Sequence, residues 1–157
     1  PEYKVFGLFG ESMGGATVLQ YSALDNGLDF MVAVCPFARL KDLLKSHLSK
    51  YRIPSFLHNY VLIFTNLYTK SFAGFSIEDV NPSEDALISK IPLYLSHGKQ
   101  DLIVPFDMSE KLYNKRKHLA KTIFFISETE GHTPHLYTKN KKEFESQLRD
   151  FLKEFEL

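Results

Sequence analysis

The chain has little sulfur, no excess of charge and no tryptophan, and these shortages exclude several classes of protein. Its 157 residues include one cysteine, so an internal disulfide and a thiolate metal cluster are both excluded. Lys plus Arg number 19, as do Asp plus Glu, so no basic surface is implied and nucleic acid is excluded as a partner. No apolar run reaches the length of a membrane span. With 14 Phe and 8 Tyr, the composition is globular and rich in rings for a core or an apolar pocket.

The lone cysteine and the first residue bear on location. Cys35 is expected to be a small buried apolar side chain, and a single cysteine favours a reducing, cytoplasmic setting. The sequence begins at Pro1 rather than at methionine, directly before a predicted strand. We therefore expect the natural N-terminus, with any signal peptide, to lie outside this sequence.

Apolar segments of two kinds alternate along the chain. Short, nearly continuous apolar runs predict strands at residues 5–9, 30–35, 91–95 and 122–126. Helical spacing or end signals predict helices at residues 16–24, from 40, from 54, at 83–89, at 107–119 and from 140. Strands that alternate with helices, and that are apolar throughout, predict an α/β fold with a mostly parallel sheet flanked by helices.

A glycine-rich turn with a serine at its centre separates the first predicted strand from the first helix: Gly10-Glu11-Ser12-Met13-Gly14-Gly15. A serine between a strand and a helix is the context of a nucleophile elbow. We expect Ser12 to be held in a strained backbone conformation, flanked by Gly10 and Gly14 because side chains there would collide. The N–H of Met13, at the start of the helix, is then expected to donate to an oxyanion.

Two later loops carry an acid and a histidine. His97-Gly98 to Asp101 follows the third predicted strand, and Gly131-His132 follows the fourth. With the elbow, these motifs resemble the α/β-hydrolase superfamily, in its lipase, esterase and serine-peptidase branches, over essentially the whole chain. The resemblance implies a catalytic triad of Ser12, Asp101 and His132 in the chain order of that superfamily. It also implies the roles, in which His132 takes the serine proton and Asp101 orients the imidazole.

Each member of this set has an alternative. Ser12 is also a reasonable turn residue, Asp107 is a second candidate for the acid, and His135 is a second candidate for the base. His97 is expected to position its loop, and the histidines on predicted helices are expected at the surface or in packing; these are His47, His58 and His118. No HExxH motif or carboxylate cluster is present, so the sequence predicts neither a metal nor a cofactor.

Residues 37–75 are too long for a simple crossover helix. Leucines at helical spacing precede Pro54, and an almost wholly apolar helix follows it. One interpretation is a helical hairpin that only covers the sheet. The other, which we favour, is a helical cap over the serine, with an acyl pocket lined by Phe56, Tyr60, Phe64 and Tyr68.

The resemblance also shows what the sequence does not contain. The superfamily places its second oxyanion donor in a loop upstream of the elbow, and only residues 1–9 precede the elbow here. We therefore expect residues 1–157 to be one partial α/β-hydrolase domain. The strand at residues 5–9 is expected to pair with a missing N-terminal segment or with another chain.

The function implied by these residues is hydrolysis of a small-molecule carboxylic ester, of apolar acyl or aryl character, through an acyl-enzyme. A serine peptidase and a thioesterase use the same residues and are the nearest alternatives. The alternative from another class is a binding or assembly module without catalysis, since the oxyanion hole is incomplete within this sequence.

Overall fold

Four short parallel strands form the central sheet. The computed structural model describes residues 4–25, 27–133 and 140–155. The strands are β1 (Gly7–Glu11), β2 (Phe30–Val34), β3 (Leu93–Gly98) and β4 (Thr122–Ser127). They lie side by side in the order β1-β2-β3-β4, and each neighbouring pair is parallel. The predicted α/β class with a parallel sheet is confirmed.

Helices follow or connect all four strands. They are α1 (Met13–Tyr21), α2 (Leu40–Lys50), α3 (Ser55–Ala73), α4 (Pro82–Ile88), α5 (Phe106–Arg116) and α6 (Lys141–Leu152), with a 3-10 turn at Lys153–Phe155. Among the helices described, none is long and apolar enough to cross a membrane.

The core has two layers, one on each face of the sheet. On one face, Leu19 of α1 and Leu112 of α5 pack against Met31, Leu93 and Leu95. On the other face the core is mainly aromatic, and its buried members are Val32, Val34, Cys35, Tyr94, Phe125, Phe144 and Phe151. All six residues of β3 are buried. A strand that is covered on both faces needs apolar residues on both, which explains a continuous apolar run rather than an alternating one.

The boundaries near the elbow differ from the prediction. We expected a strand at residues 5–9 and a helix from Ala16, whereas β1 ends at Glu11 and α1 begins at Met13. Backbone pairing decides this, because β1 stays in register with β2 until Glu11 lies opposite Val34. The turn between strand and helix is therefore a single residue, Ser12.

Residues 37–75 are mainly helical, as predicted, and contain α2 and α3. The backbone N–H of Leu40 donates to the Val80 carbonyl at 3.0 Å, and that of Ser83 donates to the Ala38 carbonyl at 3.0 Å. The chain therefore leaves the sheet layer and returns to it at one place. A ring nitrogen of His47, on α2, lies 2.7 Å from the Ile103 carbonyl, so α2 lies beside the loop at the carboxyl end of β3.

Candidate active site

Ser12 lies at the carboxyl end of β1 in a backbone conformation that side chains rarely adopt. Its φ is 52° and its ψ is −116°, as expected for a strained turn. The Ser12 N–H donates to the carbonyl of Val34 at 2.8 Å, which fixes the turn to the end of β2. The hydroxyl is thus held at the edge of the sheet where the carboxyl ends of the strands meet.

The glycines around Ser12 are needed for close packing, but not at all the positions we expected. A Cβ atom on Gly10 would lie 2.3 Å from the carbonyl oxygen of Gly14, so only glycine fits there. A Cβ on Gly15 would lie 3.1 Å from the Gly10 carbonyl oxygen. A Cβ on Gly14 would meet nothing within 4 Å, and our expectation of a collision at Gly14 is wrong.

Asp101 is held in one orientation by four donors. Its Oδ1 accepts from the backbone N–H groups of Ile103 at 2.8 Å and Val104 at 2.9 Å. Its Oδ2 lies 2.6 Å from Nδ1 of His132 and 3.2 Å from Nε2 of His97. The side chain is fully buried, so these contacts replace water as the solvation of the carboxylate.

These donors determine the charge state of Asp101. Burial by itself raises the pKa of a carboxyl group, because it disfavours the charged form. Here the hydrogen bonds from His132 and His97, and from the Val104 and Ile103 N–H groups, outweigh burial and hold the pKa of Asp101 well below its usual value of 3.8. Asp101 is therefore an anion at neutral pH.

His132 joins Asp101 to Ser12. Its Nδ1 lies 2.6 Å from Asp101 Oδ2, and its Nε2 lies 2.9 Å from Ser12 Oγ. A carboxylate can only accept, so Nδ1 carries the proton in the neutral imidazole and Nε2 is left to accept from the serine hydroxyl. The structure thus brings together the three side chains that the sequence singled out, across 120 residues of chain.

The alternative acid is elsewhere, and the alternative base is not described. Asp107 lies on α5, is about half exposed and pairs with Lys111. His135 lies outside the described residues.

His97 contributes more than the loop positioning we expected of it. The ring is fully buried, with Nε2 3.0 Å from the Val104 carbonyl and Nδ1 2.7 Å from the hydroxyl of Ser109. Because both neighbours of Nε2, the carbonyl and the Asp101 carboxylate, only accept, Nε2 carries a proton and donates to them. The signal in the sequence was the short spacing of His97 and Asp101, but spacing alone does not show which atoms meet.

Cys35 is buried, as predicted, and lies beside this set of residues. Burial, together with the nearby charge of Asp101, raises the pKa of the Cys35 thiol to about 12, so it is neutral at physiological pH. One ligand atom each from Cys35, Asp101 and His132 lies within 4.8 Å of the others. A metal would require the thiolate and would break the bond between His132 and Asp101, so this arrangement fits a hydrogen-bonded set better than a metal site.

The candidate oxyanion donor is the backbone of Met13. Met13 is the first residue of α1, and the first N–H groups of a helix have no acceptor within it. Such groups carry partial positive charge and stabilise an adjacent anion.

A cavity of about 360 Å³ opens beside Ser12. Its walls come from α1, α2 and the loops around them: Ser12, Met13, Ala16, Thr17, Gln20, Phe37, Leu40, Leu43, Phe75, Val80, Ile103 and Val104. Among these lining residues none is ionisable. The cavity is therefore apolar, with Thr17 and Gln20 as its polar side chains besides Ser12.

The four aromatic residues predicted to line the pocket are not in this cavity, and that assignment is corrected. Phe56, Tyr60, Phe64 and Tyr68 lie on α3, each more than 60% exposed. The reason is the order of packing: α2 lies against the cavity, and α3 packs on α2. The rings that the segment does contribute to the cavity are those at its two ends, Phe37 and Phe75.

Two curated proteins resemble the chain in sequence. The uncharacterized protein YqkD of Bacillus subtilis is 33% identical over 153 residues, which are 94% of this chain and 48% of that protein. The uncharacterized protein YfhR of Escherichia coli is 27% identical over 149 residues, which are 92% of this chain and 44% of that protein. The chain thus spans about half the length of these relatives. No family model matches it.

Solved structures resemble it in fold. The Pyrococcus furiosus esterase Pf2001 superposes with a TM-score of 0.71 at 20% identity, over 98% of this chain and 55% of that one. A Paleococcus ferrophilus monoacylglycerol lipase superposes with a TM-score of 0.71 at 18% identity, over 95% of this chain and 68% of the lipase. The Pyrococcus horikoshii acylaminoacyl peptidase superposes with a TM-score of 0.70 at 16% identity, over 97% of this chain and 24% of the peptidase. At these identities the likeness concerns the fold alone.

Proposed function

We propose that this chain, which has the α/β-hydrolase fold, carries the catalytic residues of a serine hydrolase acting on carboxylic esters of apolar acyl or aryl character. The observation that supports this most is the hydrogen-bonded series from Asp101 through His132 to Ser12, with distances of 2.6 and 2.9 Å. In this proposal residues 1–157 are one partial domain, and α2 with α3 forms its helical cap.

The first half of the proposed reaction transfers the acyl group to Ser12. Ser12 Oγ attacks the acyl carbon while its proton passes to His132 Nε2, which faces it. The imidazolium that forms is stabilised by the Asp101 carboxylate, and the Met13 N–H donates to the oxyanion. His132 then returns the proton from Nε2 to the departing alcohol, and the acyl group stays on Ser12 as an ester.

The second half repeats these steps with water. His132 Nε2 removes a proton from a water molecule as the water oxygen attacks the acyl carbon. The same proton then returns to Ser12 Oγ as the acyl–enzyme bond breaks and the carboxylic acid leaves. Each residue thus ends in the state in which it began.

The cavity supports the choice of acyl group. An apolar wall without ionisable side chains favours a hydrocarbon chain or ring over a charged group. A volume of about 360 Å³ is near the lower end of the usual range for ligand pockets, about 300–1,000 Å³. We therefore expect short acyl or small aryl esters to be the best substrates.

The test is covalent labelling together with turnover. A fluorophosphonate probe should label Ser12, identified by peptide mapping, and Ser12→Ala should abolish labelling. In the complete enzyme, hydrolysis of short-chain aryl esters should fall about a million-fold in kcat for Ser12→Ala, as for other serine nucleophiles. The control is Ser71→Ala, which removes an exposed serine on α3 and should leave both readouts unchanged.

The other candidate functions predict different results. A peptidase would cleave an acylated amide as well as the matching ester, whereas an esterase would leave the amide intact. A thioesterase would prefer the thioester. A binding module would leave the probe unreacted and all three substrates intact, which would overturn the proposal.

A further inference from the structure

The amphipathic character of α3 is reversed relative to an ordinary surface helix. Leu62 is buried, and the half-polar side around it faces the protein: Asn66 Oδ1 accepts hydrogen bonds from Ser76 Oγ at 2.9 Å and from the Ile77 N–H at 3.0 Å. The opposite side of the helix is exposed and apolar. A surface helix normally turns its apolar side inward, so this outer side calls for a contact that the described residues do not supply.

The exposed side carries an aromatic ridge, which we define as Phe56, Tyr60, Phe64, Tyr68 and Phe72. These rings recur at every fourth residue along a helix of about 28 Å, and each is between 61% and 78% exposed. Leu57, Val61, Ile63 and Leu67 of the same helix are also exposed. The rings alone expose on the order of 600 Å², as much as the largest apolar patch on a typical monomer.

Cations lie at both ends of the aromatic ridge. Lys50, the last residue of α2, and Arg52, in the turn that leads into α3, are both exposed. Lys70 is exposed near the C-terminal end of α3. From residue 39 to residue 75 there are six Lys and Arg and one acidic residue, in a chain whose net charge is zero. One of the six, Lys41, is paired with Glu78.

We propose that the aromatic ridge docks on an anionic lipid surface. Exposed Phe and Tyr side chains partition into the boundary between lipid headgroups and acyl chains, and flanking Lys and Arg are attracted to anionic headgroups. A second copy of the chain fits less well, because a twofold contact would bring two cationic segments together. The binding needs no spanning helix and does not depend on the reaction at Ser12.

The same segment connects this surface to the cavity. Phe75 and Ile103 both line the cavity beside Ser12 and are both exposed in part, at 40% and 48%. The exposed Lys50 ammonium donates to the carbonyl of Leu102 at 2.8 Å, and the Leu102 side chain is 75% exposed. Docking would thus bring the rim of the cavity towards the lipid.

Vesicle co-flotation of the purified protein tests the proposal. Vesicles of phosphatidylcholine with phosphatidylglycerol should carry the protein upward, and phosphatidylcholine alone should carry less. The double variant Phe56→Ser, Phe64→Ser should partition at least about a hundredfold more weakly, or about tenfold for each ring. Its matched control is Leu24→Ser, Ile88→Ser, which removes two equally exposed side chains away from α3 and should partition as wild type.

Charge is tested separately from the rings. Arg52→Gln with Lys70→Gln should lower partitioning on anionic vesicles by about thirtyfold and leave partitioning on neutral vesicles unchanged. Lys115→Gln with Lys142→Gln removes two exposed lysines elsewhere and should change neither. Added salt should weaken binding of the wild type.

Two results would overturn the proposal. One is equal partitioning of the ridge variant and its control. The other is a concentration-dependent dimer in light scattering that Phe64→Ser dissociates, which would assign the aromatic ridge to a contact between copies. Neither result bears on the labelling of Ser12, so a failure here and a failure of the proposed hydrolase are distinguishable.

Discussion

At the scale of single residues, the removal of His97 should change how Asp101 is oriented without removing a group that takes part in the reaction at Ser12. His97 donates to Asp101 and to the Val104 carbonyl but does not touch Ser12 or His132 through any bond in the described structure. We therefore expect His97→Leu to lower kcat by about tenfold with little change in KM, because Asp101 loses one of its four donors. His97→Gln, which keeps an N–H donor, should restore most of the activity.

A pH measurement distinguishes this positioning role from general destabilisation. The pKa of Asp101 in the folded protein is lower than its ordinary value of 3.8. The ionised carboxylate therefore stabilises the fold fully at pH values above 3.8, and this stabilisation is lost as the pH falls through the folded-state pKa. Carboxyl-carbon NMR should show Asp101 still ionised at pH values just below 3.8 in the wild type. In His97→Leu the midpoint should move upward; an unchanged midpoint with reduced kcat would contradict the role.

At the scale of elements, the approach of α1 to β1 depends on one glycine of two that look alike in the sequence. Gly10→Ala would place its Cβ against the Gly14 carbonyl, a backbone group that cannot turn aside, and should cost about 3 kcal/mol in the free energy of unfolding. Gly14→Ala, its matched control, meets open space and should raise stability by up to about 1 kcal/mol, since alanine favours a helix. Urea unfolding of both variants measures the difference, and equal losses would contradict the packing described.

A buried arginine makes a second contact between elements, which the sequence did not predict. Arg116, on α5, is fully buried and ties α4 and the start of β4 together through its guanidinium. Its acceptors are the carbonyls of Ala86, Ser89, Ile91 and Lys121 and the hydroxyl of Thr122. Burial lowers the pKa of Arg116 to about 10, which still leaves it charged at neutral pH.

Removing this side chain should therefore be costly. Arg116→Met leaves buried carbonyls without a donor, and we expect a loss of about 3 kcal/mol in the free energy of unfolding. Lys115→Met, at the exposed neighbouring position on the same helix, should change it by less than about 0.5 kcal/mol. Chemical denaturation of the two variants provides the comparison; similar midpoints would show that water replaces the lost donors.

Local patterns predicted the strands and the parallel sheet, and the resemblance to the α/β-hydrolase superfamily implied that Ser12, Asp101 and His132 meet. The sequence did not predict which apolar residues line the cavity. An apolar helix such as α3 has the same pattern whether it faces a pocket or solvent, and only the position of α2 decides between them. Arg116 stands between Lys115 and Lys117, and a charge in such a run is expected at the surface until its acceptors are known.

At the scale of the whole molecule, β1 is the edge of the sheet in the part that the structure describes. It pairs with β2 alone, and Phe6 and Phe9 beside its free edge are each about half exposed. An apolar, unpaired edge favours addition of another strand. We propose, as the sequence led us to expect, that a further segment of the polypeptide or another chain pairs with β1.

Association of the 157-residue chain tests this edge. We expect its mass in light scattering to rise with concentration, and Phe9→Lys to reduce the rise because a charge on an edge strand opposes pairing. The control is Leu24→Lys, at an exposed position outside the sheet, which should leave association unchanged. A monomer at every concentration, with β1 amide hydrogens exchanging as slowly as those of β3, would contradict the open edge.

The hydrogen bonds that join Leu40 to Val80, and Ala38 to Ser83, have a consequence for how such a protein diversifies. Because the chain leaves the sheet layer and returns to it at one place, we expect the segment between these residues to tolerate replacement with little effect on the sheet. The length of the segment is weakly constrained, since the entropy of closing a loop grows only slowly with loop length. Insertion, deletion or recombination within it would alter what reaches Ser12 and which surface the protein meets, while the sheet that aligns Ser12, Asp101 and His132 is inherited unchanged.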